Sequence, residues 1–383
     1  MAAFRLPPYP HDKIGYIKAL ASDNKRQIVD LSIGTPYDLP SEKVREALAA
    51  ATAANGYPPS VGTEELRSAS REMLARRFGA DVDGEELAMC VGTKEFVATL
   101  PHLLSLRNPG KDTVLYPAVS YPTYAMGAAM AGMRAVPVPC DDNFMTNPEA
   151  LDKSDLDRAL LLWVNSPANP TGVVEDLEKA VSFADRHSLL LCSDECYAEF
   201  TAAGDRDSVL RYKKDGVLAV HSLSKRSNAA GLRVGFYAGD RDLVYFLKEI
   251  RKHAGMMIPG PVQAAAVAAL GQDGEVDGQW DIYQKRLAYL KDVLSGIGVH
   301  AEMPSGGFYL WVKAPESYSG SSRSDQGAGW PFAEDLARYG GMLVSPGDFY
   351  GPAGADYVRI AAVQPLEKLE IIKSQFDAAN FSC

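Results

Sequence analysis

The chain has 383 residues, 46% of them hydrophobic, which is enough for one large core and a second, smaller one. A net charge of −10 spread along the chain leaves no basic stripe for phosphate backbones and argues against nucleic acid as a partner. No window reaches the roughly 18 uninterrupted apolar residues of a membrane helix, the start MAAFRLPPYP lacks a secretory layout, and the five cysteines show no CxxC spacing, so a cytoplasmic protein without membrane partner or metal is expected.

In chain order, Ser41 to Ala54 and Thr63 to Phe78 carry helical apolar spacing, begin at hydroxyl N-cap residues and stop at Gly56 and Gly79. From about residue 85 to 240 the runs LAMCV, TVLY, ALLLWV, LLLCS, GVLAVHS and VGFYAG alternate with helical stretches, which predicts a mostly parallel sheet covered on both faces. Helices over Arg241–His253, Pro261–Leu270 and Trp280–Leu294 follow, then separated strands near Gly307–Val312 and Tyr357–Ala361 and a closing helix, the pattern of a smaller α+β domain. The stretch ESYSGSSRSDQGAG, Glu316–Gly329, reads as a solvated loop.

Several strand ends carry chemistry. Lys225, in His221-Ser222-Leu223-Ser224-Lys225 after the apolar strand GVLAV, sits where an amine loses its charge more easily, and only the neutral amine attacks an aldehyde. Val91-Gly92-Thr93-Lys94 follows a strand and opens a helix, so free N–H groups and the helix dipole suit an anion. In Tyr357-Val358-Arg359-Ile360-Ala361, Arg359 and Tyr357 share one face, and a guanidinium there can clasp a carboxylate with two parallel hydrogen bonds.

The run SLSK with Gly231 and Arg233 resembles the active-site signature of the class I and II aminotransferases, enzymes of the fold type I pyridoxal 5'-phosphate (PLP) group. The resemblance implies an α/β fold with a large domain around a mostly parallel seven-stranded sheet, residues 35–275, and a smaller α+β domain, residues 1–34 and 276–383. It implies that Lys225 binds the cofactor aldehyde, that Ser222 and Arg233 hold the phosphate with the backbone of Thr93 and Lys94, and that Ser224 belongs to the same cofactor-binding set. Asn165-Ser166-Pro167-Ala168-Asn169-Pro170-Thr171-Gly172 is similar to the family's NPTG turn, which assigns Asn169 to the cofactor's phenolic oxygen and to the substrate. Ser193-Asp194-Glu195-Cys196-Tyr197 resembles its D-E-x-Y element, with Asp194, buried and ionised, facing the pyridine nitrogen and Tyr197 beside Asn169. The same resemblance implies that Tyr121 is the stacking ring, that Gly34 and Arg359 meet the substrate carboxylate, and that Tyr57 reaches the phosphate of a neighbouring subunit, so that a homodimer with shared active sites is expected.

The implied reaction moves an amino group between an amino acid and a 2-oxo acid. Within the family, SLSKRSNAAGLRVGF is similar to N-succinyl-L,L-diaminopimelate aminotransferase of lysine biosynthesis, with 2-oxoglutarate as acceptor. An aspartate or broad-range aminotransferase and a PLP-dependent C–S lyase remain open alternatives, because one Schiff-base scaffold permits several outcomes.

Overall fold

The computed structural model describes residues 10–53, 55–320 and 326–383. The chain forms two compact units, one of residues 35–282 with 305–307, the other of the chain up to Gly34 with residues 283–304 and 308–383.

The larger unit is built on a seven-stranded sheet. Its strands, in chain order, are β1 (Leu87–Cys90), β2 (Thr113–Pro117), β3 (Arg134–Val138), β4 (Ala159–Asn165), β5 (Leu191–Asp194), β6 (Val217–Ser222) and β7 (Gly235–Gly239). Their order across the sheet is β1-β7-β6-β5-β4-β2-β3. Every pairing is parallel except those of β7, which runs antiparallel to both β1 and β6. This matches the expected mostly parallel sheet, and alternation along the strands shows that both faces are covered. Leu162, Val164, Ala219 and Phe236 join one apolar cluster with Leu66, Met73 and Phe78, whereas Leu161, Trp163, Val220 and Tyr237 join another with Phe96, Leu100 and Tyr124.

Helix ends follow local chemistry. Thr63 caps Glu64–Phe78 through its side chain, and Gly79 closes it at φ 64°, the left-handed cap that glycine adopts without a Cβ penalty. Ser41 caps the preceding helix, but that helix runs only over Glu42–Ala50 and stops before the expected Ala54. The Thr52 hydroxyl turns back to the Ala49 carbonyl at 3.2 Å, a local bond that competes with the helical ladder. Arg241–His253 has the expected bounds, while the helix expected over Trp280–Leu294 spans Asp273–Gly296. Its early start, across Gly274 and Gly278, is held by arginines remote in sequence: Arg226 binds Asp273 at 2.9 Å, and Arg77 and Arg206 each bind Asp277 at 2.6 Å.

The smaller unit carries an antiparallel sheet of Ser345–Pro346, Tyr357–Ala361 and Tyr309–Lys313, in that order. A parallel pair, Val29–Asp30 with Met342–Leu343, and the helices Ile14–Asp23, Gly329–Gly340 and Leu366–Ala379 complete it. The strand expected from Gly307 begins at Tyr309, because the Gly307 N–H bonds to Phe200 and the residue belongs to the larger unit. In the stretch expected to be a loop, Glu316–Tyr318 forms a single 3-10 turn with Tyr318 buried, and residues 321–325 lie outside the described residues.

Candidate active site

The parallel strands β4, β5 and β6 end side by side at Asn165, Asp194 and Ser222, and the carboxyl ends of such strands are where open α/β sheets bind ligands. Asp194 is 6% exposed. The Tyr124 hydroxyl donates to its Oδ2 at 2.7 Å, and the Cys196 N–H donates to its Oδ1 at 3.2 Å. Burial pushes the Asp194 carboxyl up from the ordinary range, while the bonds from Cys196 and Tyr124 pull it down. The expected burial is present; the expected ionised state is opposed by burial and depends on these donors.

The Asn165 side chain ties this strand end to the next loop. Its Nδ2 donates to the Asp194 carbonyl at 2.8 Å, and its Oδ1 accepts the Asn169 N–H at 2.8 Å, which holds the buried Asn169 close to the end of β5. Tyr197 is buried three residues after Asp194.

After β6, Ser222 caps the one-turn helix Leu223–Arg226 by accepting the Ser224 N–H at 3.1 Å. Ser224 is buried and Lys225 half-buried in this turn. The next residue, Arg226, is buried and anchored to Glu199 at 2.8 Å and to the Ala269 carbonyl at 2.8 Å. Arg233 takes φ 56°, is exposed, and bonds the Ala230 carbonyl at 3.0 Å. Its guanidinium lies against Gly92, where a Cβ would stand 2.2 Å from Nη2. Gly92, at φ 76°, opens the helix Thr93–Arg107, and the Cys196 thiol donates to the Thr93 hydroxyl at 3.2 Å. The Lys94 ammonium lies 6.0 Å over the Tyr121 ring, which meets Tyr124 edge-on with centroids 6.0 Å apart.

These residues have the chemistry that PLP requires. A glycine-opened helix N-terminus with a guanidinium against it suits a phosphate dianion, a buried carboxylate with two donors suits a protonated ring nitrogen, and a half-buried lysine in the turn after the adjoining strand suits an aldehyde.

In the smaller unit Arg359 is 4% exposed and sandwiched between the rings of Tyr309 and Tyr350, at 4.3 and 4.9 Å. Its Nη2 donates to the Ser32 carbonyl at 2.6 Å. Gly34 faces Tyr309 so closely that a Cβ would come within 1.9 Å of the tyrosine oxygen. Tyr57 stands 98% exposed.

Three contributors escape a reading of motifs: Asn165, Tyr124 and the tyrosine pair around Arg359. Tyr124 carried a signal, since it lies three residues after Tyr121 at the start of a helix, where that spacing shares a face.

The family model for aminotransferase class I and II matches residues 26–372. The chain is 40% identical over 374 residues to the 4-dedimethylamino-4-oxo-anhydrotetracycline transaminase OxyQ of Streptomyces rimosus, covering 95% of this chain and 97% of that protein. It is 33% identical to an LL-diaminopimelate aminotransferase of Dehalococcoides mccartyi, covering 95% and 94%. Among solved structures, a probable N-succinyldiaminopimelate aminotransferase of Thermus thermophilus superposes with a TM-score of 0.84 at 28% identity, covering 96% and 99%. With a match running through nearly its whole length, the chain belongs to the class I and II aminotransferases and is a PLP-dependent transaminase.

Proposed function

We propose that the chain transfers the amino group of an N-succinyl-L,L-diaminopimelate-type donor to 2-oxoglutarate, working as a homodimer with shared sites. The observation that supports the chemistry best is the adjacency of β5 and β6, which sets the buried, doubly hydrogen-bonded Asp194 beside the strand that leads into Lys225.

When bound, PLP supplies an aldehyde for the amine and a ring that takes up the electrons of the Cα–H bond. Lys225 Nζ holds the cofactor at rest, then takes the α-proton of the amino acid and hands it on, acting as base and then acid. Asp194, ionised, would keep the ring nitrogen protonated, and that positive charge would in turn offset the burial that pushes Asp194 up. Asn169 and Tyr197 would donate to the phenolic oxygen, and Tyr121 would stack on the ring. The Thr93 and Lys94 backbone, Ser222, Ser224 and Arg233 would hold the phosphate, joined by Tyr57 of the second chain. Arg359, with Gly34 and Asn169, holds the substrate α-carboxylate; its guanidinium plane, fixed between two rings, offers paired donors that a lysine lacks.

The 33% identical LL-diaminopimelate aminotransferases support a second donor, the same amino acid without its succinyl cap. A half-reaction screen tests both. The PLP-loaded protein is mixed with single amino acids and the cofactor absorbance is followed: loss with succinyl-diaminopimelate and glutamate but not aspartate is expected, loss with glutamate and uncapped LL-diaminopimelate but not the succinylated form selects the second donor, and an equal response to aspartate overturns both. Lys225→Ala is expected to abolish turnover and the internal Schiff-base absorbance; survival of both would refute the mechanism.

A further inference from the structure

Asp194 and the lysine turn share one feature that the transamination chemistry leaves unused: a buried acid–imidazole pair on the opposite face of the same two strands. Side chains alternate across a sheet, so Asp194, which meets Tyr124, and its successor Glu195 point to opposite sides. His221, one residue before Ser222, points to the Glu195 side, stacked on Phe236 at 5.0 Å and tilted against Phe78 at 5.4 Å.

Glu195 Oε2 and His221 Nε2 lie 3.0 Å apart, with side chains 0% and 5% exposed. The contact is close but off the ideal hydrogen-bond direction, and neither atom has another hydrogen-bond partner among the described residues. The other carboxylate oxygen of Glu195 accepts the Val209 N–H at 3.0 Å, and the Glu195 N–H bonds the Val220 carbonyl at 2.9 Å. A cavity of about 10 Å³ adjoins the pair, bordered also by Met73, Glu199 and Arg226. Arg226, the neighbour of Lys225, is held there by Glu199, which also binds Arg77 at 2.6 Å.

A buried ion pair is weak support for stability, because apolar residues of similar volume replace such pairs at little or no cost. Its value lies in fixing geometry. Here it crosslinks the ends of two neighbouring strands from behind, one carrying Asp194 and the other leading into Ser222 and Lys225. We propose that Glu195 and His221 form a positioning pair that sets the spacing between Asp194 and the lysine turn, and thereby the seat of the cofactor's ring and phosphate. This rests on the assignment of Asp194 and Lys225 to PLP.

The test uses the full chain with His221→Phe, which keeps the stacking between Phe78 and Phe236, with Glu195→Gln, which keeps the shape, and with the double variant H221F/E195M, which orphans no charge. Three quantities are measured: the dissociation constant for PLP, the pH at which the bound cofactor's absorbance changes, and the thermal midpoint of the cofactor-free protein. The expected result is a roughly tenfold or greater weakening of PLP binding with H221F, a smaller one with E195Q, a double variant no worse than H221F, and a displaced absorbance midpoint in each. Binding within twofold of the parent and an unmoved midpoint, whatever happens to the thermal midpoint, would overturn the proposal; the double variant decides it if a single variant does not fold. Lys225→Ala separates the two readings: an absorbance band unchanged by that substitution removes the assignment of Lys225, while the binding constants of the pair variants stand independently.

Discussion

Asp194 keeps one oxygen on a phenol and the other on a backbone N–H, in a setting where burial alone favours its neutral form. Burial, and after it the neighbouring Asp194, push the Tyr124 phenol well up, so Tyr124 stays protonated and donates. A hydrogen bond to a charged group contributes about 1.5–3 kcal/mol. Tyr124→Phe therefore leaves Asp194 higher still in the cofactor-free protein. Because a protonated ring nitrogen binds the ionised carboxylate, affinity for PLP is present above the Asp194 pKa and is lost as pH falls through it. The variant is expected to bind PLP roughly tenfold more weakly near neutrality and to lose binding at a higher pH than the parent, as read by fluorescence titration across pH; a superposable pH profile would show that the phenol is only packing. Asp194 was legible because its neighbours Glu195 and Tyr197 complete a local pattern. Tyr124 lies 70 positions away and Asn165 29, and no motif records a contact made only by folding.

At the level of elements, local signals set helix ends well where a side chain caps them, as at Thr63 and Asp240, or where a left-handed glycine closes them, as at Gly79. They failed where distant charges decide: the first turns of Asp273–Gly296 look poor in isolation, with two glycines, and are stabilised by four arginines from elsewhere in the same unit, Arg76, Arg77, Arg206 and Arg226. The direction of β7 was equally hidden, since periodicity marks a strand but not its sense. That strand ends on a glycine for a physical reason. Gly239 has φ 142°, and a Cβ there would lie 2.1 Å from the Val217 carbonyl oxygen on the adjoining β6, a backbone atom that cannot swing aside. Gly239→Ala is expected to cost about 2 kcal/mol or more through overpacking and strain. For a unit of this size each kcal/mol lowers the thermal midpoint by roughly 2–4 °C, so calorimetry on the variant checks the claim; an unchanged midpoint would mean that the β6–β7 pairing yields easily.

For the whole molecule, the alternation of apolar runs with helices was enough to anticipate a parallel sheet with two covered faces, because burial on both sides leaves uninterrupted apolar strands such as ALLLWV. How chains assemble leaves no such mark, and Tyr57, 98% exposed, is the residue through which assembly becomes testable. If Tyr57 completes the phosphate site of a second chain, a chain carrying Tyr57→Ala and a chain carrying Lys225→Ala are each defective in a different half of the same site. Unfolded together and refolded, half of the dimers combine one of each, and each such hybrid contains one site with an intact Lys225 from the first chain and an intact Tyr57 from the second. Random assortment then restores about a quarter of the parental activity, beyond whatever the Tyr57→Ala homodimer retains. Activity equal to the average of the separately refolded variants would place Tyr57 in its own chain's site or in none, and a mixture that sediments as single chains would remove the shared site altogether.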